Sequence, residues 1–185
     1  MSNYNSSMQP KVIVFDIETL NADNYVSPAT PMSIAVSYNP VTDVQTVYTG
    51  ESGKRALARD LDSAVKAGYQ LVGHNIRNFD ANVIDVTHLS SAMVDTMARV
   101  QSSHYGKDKA TLETLATCTL GRGKVKAGSA IDLGKRAMSG DMKSMKKLVA
   151  YCTMDVMLTY ELYCFGLQHG YVQSLGGEAI KVDFK

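Results

Sequence analysis

The sequence has no tryptophan, only four prolines and only three cysteines, which are Cys118, Cys152 and Cys164. An odd number of cysteines with no C-x-x-C pair disfavours both a disulfide framework and a zinc site. The cysteines are therefore expected to be buried free thiols. The first ten residues lack the layout of a signal peptide, and no run approaches the roughly 20 apolar residues that cross a bilayer. The sequence therefore predicts a cytoplasmic protein with no membrane partner.

The overall amino-acid composition is typical of a globular domain. The chain has 185 residues, of which 45% are hydrophobic and 20% are charged. A chain of this length buries roughly 70% of the surface that its unfolded form exposes, so it needs no disulfide or structural metal. We predict a polar tail over residues 1–10, a single domain over 11–170, and a hairpin or docked tail of the same domain over 171–185.

The net charge of +1 conceals an uneven distribution of charge along the chain. Residues 1–98 carry 6 basic and 10 acidic side chains, residues 99–147 carry 11 and 4, and residues 148–185 carry 2 and 4. An acidic first part suits divalent cations and a basic middle suits phosphates, although a solvated basic face gives the same count. The basic candidates for phosphate contacts are Arg122, Lys124, Lys126, Lys135, Arg136, Lys143, Lys146 and Lys147.

Periodicity in the first half of the chain predicts strands and one helix. Lys11–Phe15, a continuous apolar run rich in β-branched residues, is typical of a central buried strand. Met32–Tyr38 and Val44–Thr49 are predicted to pair as an antiparallel hairpin. Lys54–Ala67 has helical spacing, and Tyr69–Val72 is a further short strand.

The second half of the chain is mainly helical by the same criteria. Its predicted elements are a helix over Phe79–His88, a strand at Met93 and Val94, a short helix that ends before Gly121, and a long helix over Met142–Gln168. Strands followed by alternating helices and strands predict an α/β domain. Its mixed sheet should have an antiparallel edge and be flanked by helices.

Two acids follow the predicted central strand directly. Asp16 and Glu18 are two residues apart, so strand alternation puts both carboxylates on one face. Burial of an isolated charge costs several kcal/mol, which favours a cation that neutralises both acids. An exposed strand end with solvated acids is the alternative interpretation.

Two further groups of polar residues lie where sites are often built. Asn75, Phe79 and Asp80 follow the fourth strand, and Tyr151 and Asp155 lie four residues apart on the long helix, which puts them on one face. Taken alone, Asp80 would more often be a helix-capping residue. The pair on the long helix would more often be an ordinary amphipathic feature.

Taken together, these groups resemble the three motifs of the DnaQ-like, DEDD superfamily of 3′-5′ exonucleases. The superfamily divides by a histidine five residues before the last acid or a tyrosine four residues before it. Here these positions are Ala150 and Tyr151, so the sequence resembles the tyrosine (DEDDy) branch. The segments GHNIRNFDANVI and YCTMDVMLTYELYCFGLQHGYV are also similar to YprB-type, RNase H-like exonuclease domains.

The resemblance implies an RNase H-like (DnaQ-like) mixed sheet and a 3′-5′ exonuclease domain over residues 11–170. It implies hydrolysis of DNA, single strands preferred, to nucleoside 5′-monophosphates by a two-metal-ion mechanism. Two divalent cations, Mg²⁺ or Mn²⁺, would be held by four acids, and Tyr151 would position the attacking water. The four implied metal ligands are Asp16, Glu18, Asp80 and Asp155.

The resemblance also implies contacts to the substrate. Thr19, Leu20, Asn75 and Phe79 are the candidates at the 3′-terminal nucleotide, and Arg122, Lys124 and Lys126 are the candidates at the phosphate backbone. Two alternatives stay open. One is a 3′-5′ exoribonuclease with the same site, and the other is a catalytically weak nucleic-acid-binding accessory of a helicase or polymerase. DNA is the preferred nucleic acid, and a helicase or polymerase is the expected protein partner.

Overall fold

A mixed five-stranded sheet lies at the centre of the described residues, which are 10–21, 26–103, 110–123 and 128–185 of the computed structural model. Its strands are β1 (Val12–Thr19), β2 (Met32–Asn39), β3 (Val44–Thr49), β4 (Gln70–Gly73) and β5 (Met93–Asp95). The order across the sheet is β3-β2-β1-β4-β5, with β1 antiparallel to β2 and parallel to β4. The predicted mixed sheet with an antiparallel edge is confirmed.

Helices cover both faces of this sheet. They are α1 (Gly50–Lys66), α2 (Asp80–Val83), a 3₁₀-helix (Thr87–Ala92), α3 (Thr96–Ser103), α4 (Leu112–Leu120), α5 (Ala130–Met138) and α6 (Met142–His169). Val14 of β1 packs in a core with Val156 of α6, and Phe15 packs in a second core with Leu57 of α1. The two cores form because successive side chains of a strand point to opposite faces.

The C-terminal segment forms an antiparallel hairpin of β6 (Tyr171–Gln173) and β7 (Ala179–Lys181). Phe184, which follows it, packs against α6 at Gly166, where an added Cβ would lie 2.3 Å from the Phe184 ring. Within the ranges that the structure describes, no helix has the length and hydropathy needed to cross a bilayer. The proposed division into tail, domain and docked hairpin stays a prediction.

The predicted helix over Phe79–His88 is wrong in extent. Only α2 forms there, followed by a turn and the 3₁₀-helix. Asp85 has a left-handed backbone with φ of 58°, which a right-handed helix cannot include. Two helices, α3 and α5, were not predicted at all. Both have fewer than ten residues, and helices this short depend on tertiary packing more than on propensity.

Candidate active site

Three carboxylates from β1 and α6 meet at one end of the central strand. The metal-ligating atoms of Asp16, Glu18 and Asp155 all lie within 4.8 Å of one another. Alternation along β1 directs Asp16 and Glu18 to the face that α6 covers. Asp155 is buried, with 3% of its surface exposed, and the two β1 acids are half-buried. Negative charges this close repel one another unless a cation or protons neutralise them.

A fourth acid, Asp80, lies against the backbone that carries the first two. α2 begins at Asp80, whose Oδ1 accepts a hydrogen bond from the N–H of Ile17 at 3.0 Å. Only 2% of the residue is exposed. Burial and then the negative charge of Asp16 hold the pKa of Asp80 well above its ordinary value, although backbone hydrogen bonds oppose this. Asp80 is therefore electrostatically coupled to the acids of β1.

α6 supplies two side chains beside Asp155. Tyr151 lies one turn earlier on the helix and is half-buried. Cys152 is buried, and its Sγ lies 3.4 Å from the main-chain oxygen of Asp16 and 3.6 Å from its Oδ2. Burial and then the neighbouring acids raise the pKa of this thiol well above its ordinary value, so it stays protonated. The three cysteines are free thiols, but only Cys152 is fully buried.

The turn between β4 and α2 is held by an acid that the sequence interpretation missed. Asp95, 2% exposed, accepts hydrogen bonds from the N–H groups of Asn75 (3.0 Å), Arg77 (3.1 Å) and Ala98 (3.1 Å). Asn75 has φ of 67°, a left-handed conformation that asparagine tolerates better than most residues. Asp95 follows an apolar strand as Asp16 does, and that signal could have identified it.

The candidates for contact with a terminal nucleotide lie around the end of β1 and the start of α2. Thr19 is buried and Leu20 is half-buried. Helix α5 approaches closely here, because an added Cβ at Gly134 would lie 3.0 Å from Ser33 and 3.2 Å from Cδ2 of Leu20. The sequence analysis did not predict α5, so it missed this helix as a neighbour of Leu20. Phe79 is half-buried and directly precedes Asp80.

Comparisons with known proteins agree with this architecture. A family model described as the RNase_H superfamily matches residues 13–165. The chain belongs to the RNase H superfamily. The match contains all four acids and Tyr151. No curated protein sequence is a significant match to the chain.

A solved structure shares the RNase H-like fold of this chain. The chain is similar to the structure of the family B DNA polymerase from the hyperthermophilic archaeon Pyrobaculum calidifontis, with a TM-score of 0.60 and 18% sequence identity over 84% of the chain. It spans 24% of that polymerase chain. At this identity the similarity shows the fold alone.

The acids fit the divalent ions that RNase H-like nucleases use. Their ligand atoms are all oxygens, as hard cations require, and the β1 carboxylates are only half-buried, so an ion can reach them. Burial, and then the negative charge of Asp16, raises the pKa of Asp80 beside this cluster. The chain therefore contains an RNase H-like domain with an acidic cluster that could hold a metal ion.

Six of the eight basic residues predicted to contact phosphate lie in the part of the chain that the structure describes. The guanidinium of Arg122 forms an ion pair with Glu161 of α6, and Glu161 lies six residues beyond Asp155. Lys124 and Lys126 lie outside the described residues. Five other basic side chains are exposed at the corner between α5 and α6. They are Lys135, Arg136, Lys143, Lys146 and Lys147.

Proposed function

We propose that this RNase H-like domain is a metal-dependent 3′-5′ exonuclease of the DEDDy type. It removes nucleotides from the 3′ end of DNA, with single strands preferred, and releases nucleoside 5′-monophosphates. The observation that carries the proposal is the cluster of Asp16, Glu18 and Asp155 within 4.8 Å, with Tyr151 one helical turn before Asp155. This arrangement brings together an acidic metal site and a hydroxyl group suited to orienting water.

Each acid has a defined part in this proposal. Asp16, Glu18 and Asp155 would hold one divalent ion, and Asp16 and Asp80 would hold a second. Mg²⁺ or Mn²⁺ suits an all-oxygen site better than zinc does. When bound, two ions stabilise the charge on the attacking and leaving oxygens of an in-line phosphoryl displacement.

Tyr151 orients the attacking water in the proposed reaction. Its hydroxyl lies on the face of α6 that carries Asp155, because the two residues are four apart. A tyrosine has an ordinary pKa of about 10, so it is a poor general base at neutral pH. Its contribution is therefore to hold the water in line with the phosphorus atom.

The terminal nucleotide lies between the end of β1 and the turn before α2. Thr19 and Leu20 contact the terminal sugar and base, with α5 packed behind Leu20 at Gly134. Asn75 and Phe79 form the opposite wall, where the half-buried Phe79 ring offers a surface for base stacking. Stacking is tolerant of sequence, as an exonuclease requires.

DNA is the proposed substrate, and a polymerase or helicase is the proposed partner. The chain shares its fold with part of a protein named as a DNA polymerase. This shared fold is the support for DNA as the substrate and for a polymerase as the partner. An exoribonuclease would carry the same metal site and differ in a contact to the 2′-hydroxyl. A nucleic-acid-binding accessory would have no need for a cluster of three carboxylates with Asp80 and Tyr151 beside it.

The test is degradation of 5′-end-labelled strands followed on a sequencing gel. Single- and double-stranded DNA and RNA are each incubated with Mg²⁺, Mn²⁺ or EDTA, and Asp155→Asn serves as the inactive control. We expect a ladder of products shortened from the 3′ end of single-stranded DNA with either metal and none in EDTA. Equal or faster degradation of RNA would assign an exoribonuclease. Binding without degradation in every condition would assign the accessory role.

A further inference from the structure

A row of side chains on α6 connects the acidic cluster to the basic corner of the fold. Lys143, Lys147, Tyr151 and Asp155 follow one another at intervals of four, so each is one helical turn from the next. The two lysines are exposed, Tyr151 is half-buried and Asp155 is buried. The row therefore runs from solvent into the candidate active site.

The N-terminal end of this row is electropositive. Residues 130–150 carry five basic and two acidic side chains. One of the acids, Asp141, caps α6 by accepting hydrogen bonds from the N–H groups of Lys143 (2.9 Å) and Ser144 (3.2 Å). None of the ion pairs within the described part of the chain includes Lys143 or Lys147. A polyanion can therefore meet both ammonium groups without displacing a carboxylate.

We infer that Lys143 and Lys147 bind consecutive phosphates of the substrate strand, on the 5′ side of the bond that is cleaved. This inference rests on the proposed exonuclease function, because it needs the 3′ end at the acidic cluster. Twelve residues of helix separate Lys143 from Asp155, which is about 18 Å. A strand stretched to about twice the 3.4 Å per nucleotide of the duplex covers that length with roughly three nucleotides.

The same helix offers a matched control. Lys146 is exposed like Lys147 and adjacent to it in the chain. At about 100° per residue, Lys146 points about 140° away from Tyr151 around the helix axis, whereas Lys147 points about 40° away from it. If the substrate strand follows the row, which we call the lysine track, Lys147 contributes to binding and Lys146 does not. Diffuse attraction of the strand to a basic surface instead predicts equal contributions from the two lysines.

The first experiment measures binding apart from chemistry. Fluorescence anisotropy in EDTA gives the Kd of 5′-fluorescein-labelled oligodeoxythymidylates of 3 and 12 nucleotides across a series of salt concentrations. We expect Lys143→Ala combined with Lys147→Ala to weaken 12-mer binding about tenfold and to lower the salt slope by about 1.4, which is two phosphates at about 0.7 each. The trimer should lose less, because its 5′ end only just reaches Lys143. Lys146→Ala should leave the slope close to that of the wild type.

The second measurement separates this inference from the proposed function. We expect the double variant to raise the KM for the 12-mer about tenfold, in step with its Kd, and to lower kcat far less than Asp155→Asn does, because the lysines bind the strand outside the acidic cluster. Active wild-type enzyme with unchanged 12-mer binding in the double variant, or with an equal loss in Lys146→Ala, would overturn the lysine track alone. The expected binding pattern in a protein that degrades nothing would support phosphate binding by the two lysines and contradict the nuclease proposal.

Discussion

The carboxylate of Asp80 accepts a hydrogen bond from the backbone N–H of Ile17, at 3.0 Å. Ile17 lies between the two acids of β1, and the parallel pairing of β1 with β4 ends at Val14 and Val72. Beyond Val14, the edge of β1 that faces β4 has no strand partner among the described residues, and the N–H of Ile17 on that edge donates to Asp80 instead. The bond ties the second acidic motif to the backbone of the first.

Removal of the Asp80 charge should change how stability depends on pH. The pKa of Asp80 in the folded protein is raised above the unfolded value of about 3.9, first by burial and then by Asp16. Its protonated form therefore stabilises the fold fully below about pH 4, and this stability is lost as the pH rises through the folded pKa. In EDTA, Asp80→Asn should be more stable than the wild type at pH 7.

The measurement is the Tm of both proteins in EDTA between pH 4 and pH 8. Asp80→Asn should lose less stability over this range, because the amide oxygen can still accept the Ile17 hydrogen bond. Asp132→Asn, which replaces an exposed acid of α5, is the control and should keep the wild-type profile. Parallel profiles for Asp80→Asn and the wild type would contradict the prediction.

Replacement of Asp16 should separate metal binding from folding. Asp16→Asn removes one carboxylate charge from a cluster that lies within 4.8 Å, so the metal-free protein should be at least as stable as the wild type. A metal at 100 times its Kd stabilises a folded protein by about 2.7 kcal/mol. We expect Mn²⁺ to raise the Tm of the wild type and not that of Asp16→Asn, which should also lose hydrolysis. A full Mn²⁺ response in the variant would remove Asp16 from the metal site.

Tyr151→Phe should reduce the rate without weakening metal binding. The substitution keeps the ring and its packing and removes one hydroxyl from the proposed water site. Loss of such a contact lowers rates by about 10²- to 10⁴-fold. The Mn²⁺-induced rise in Tm should equal that of the wild type, and product formation in single-turnover reactions should be slow yet measurable. Wild-type turnover would show that Tyr151 serves only to pack the fold.

Asp95 should position the turn that leads to Asp80. Asp95→Ala leaves three backbone N–H groups without their acceptor, and each such loss costs about 1–3 kcal/mol. We expect urea denaturation to show a loss of about 3 kcal/mol or more. Asp95→Asn should retain part of the stability, because one oxygen remains, but should lower kcat as the turn loosens. Full activity in folded Asp95→Asn would limit Asp95 to a structural role.

Local geometry made part of this protein predictable from sequence. The alternation of a strand puts Asp16 and Glu18 on one face, and the helical repeat puts Tyr151 and Asp155 on another. The Val44–Thr49 strand was predicted with its observed bounds, because its β-rich run is flanked by turn residues. Each of these features depends on a few neighbouring residues, so its pattern is written in a short window of sequence.

Packing across the fold decided the rest. Asp16 and Asp155 are 139 residues apart, and only the docking of α6 on the sheet brings their oxygens within 4.8 Å. Asp95 looks like any strand-end acid until β5 aligns with β4 and presents it to the turn at Asn75. Helix α5 is too short to be defined by its own periodicity, and close approach at Gly134 places it beside Leu20. Sequence determines which side chains share a strand or helix face, whereas distances between elements depend on how the two cores pack, which is a property of the whole chain.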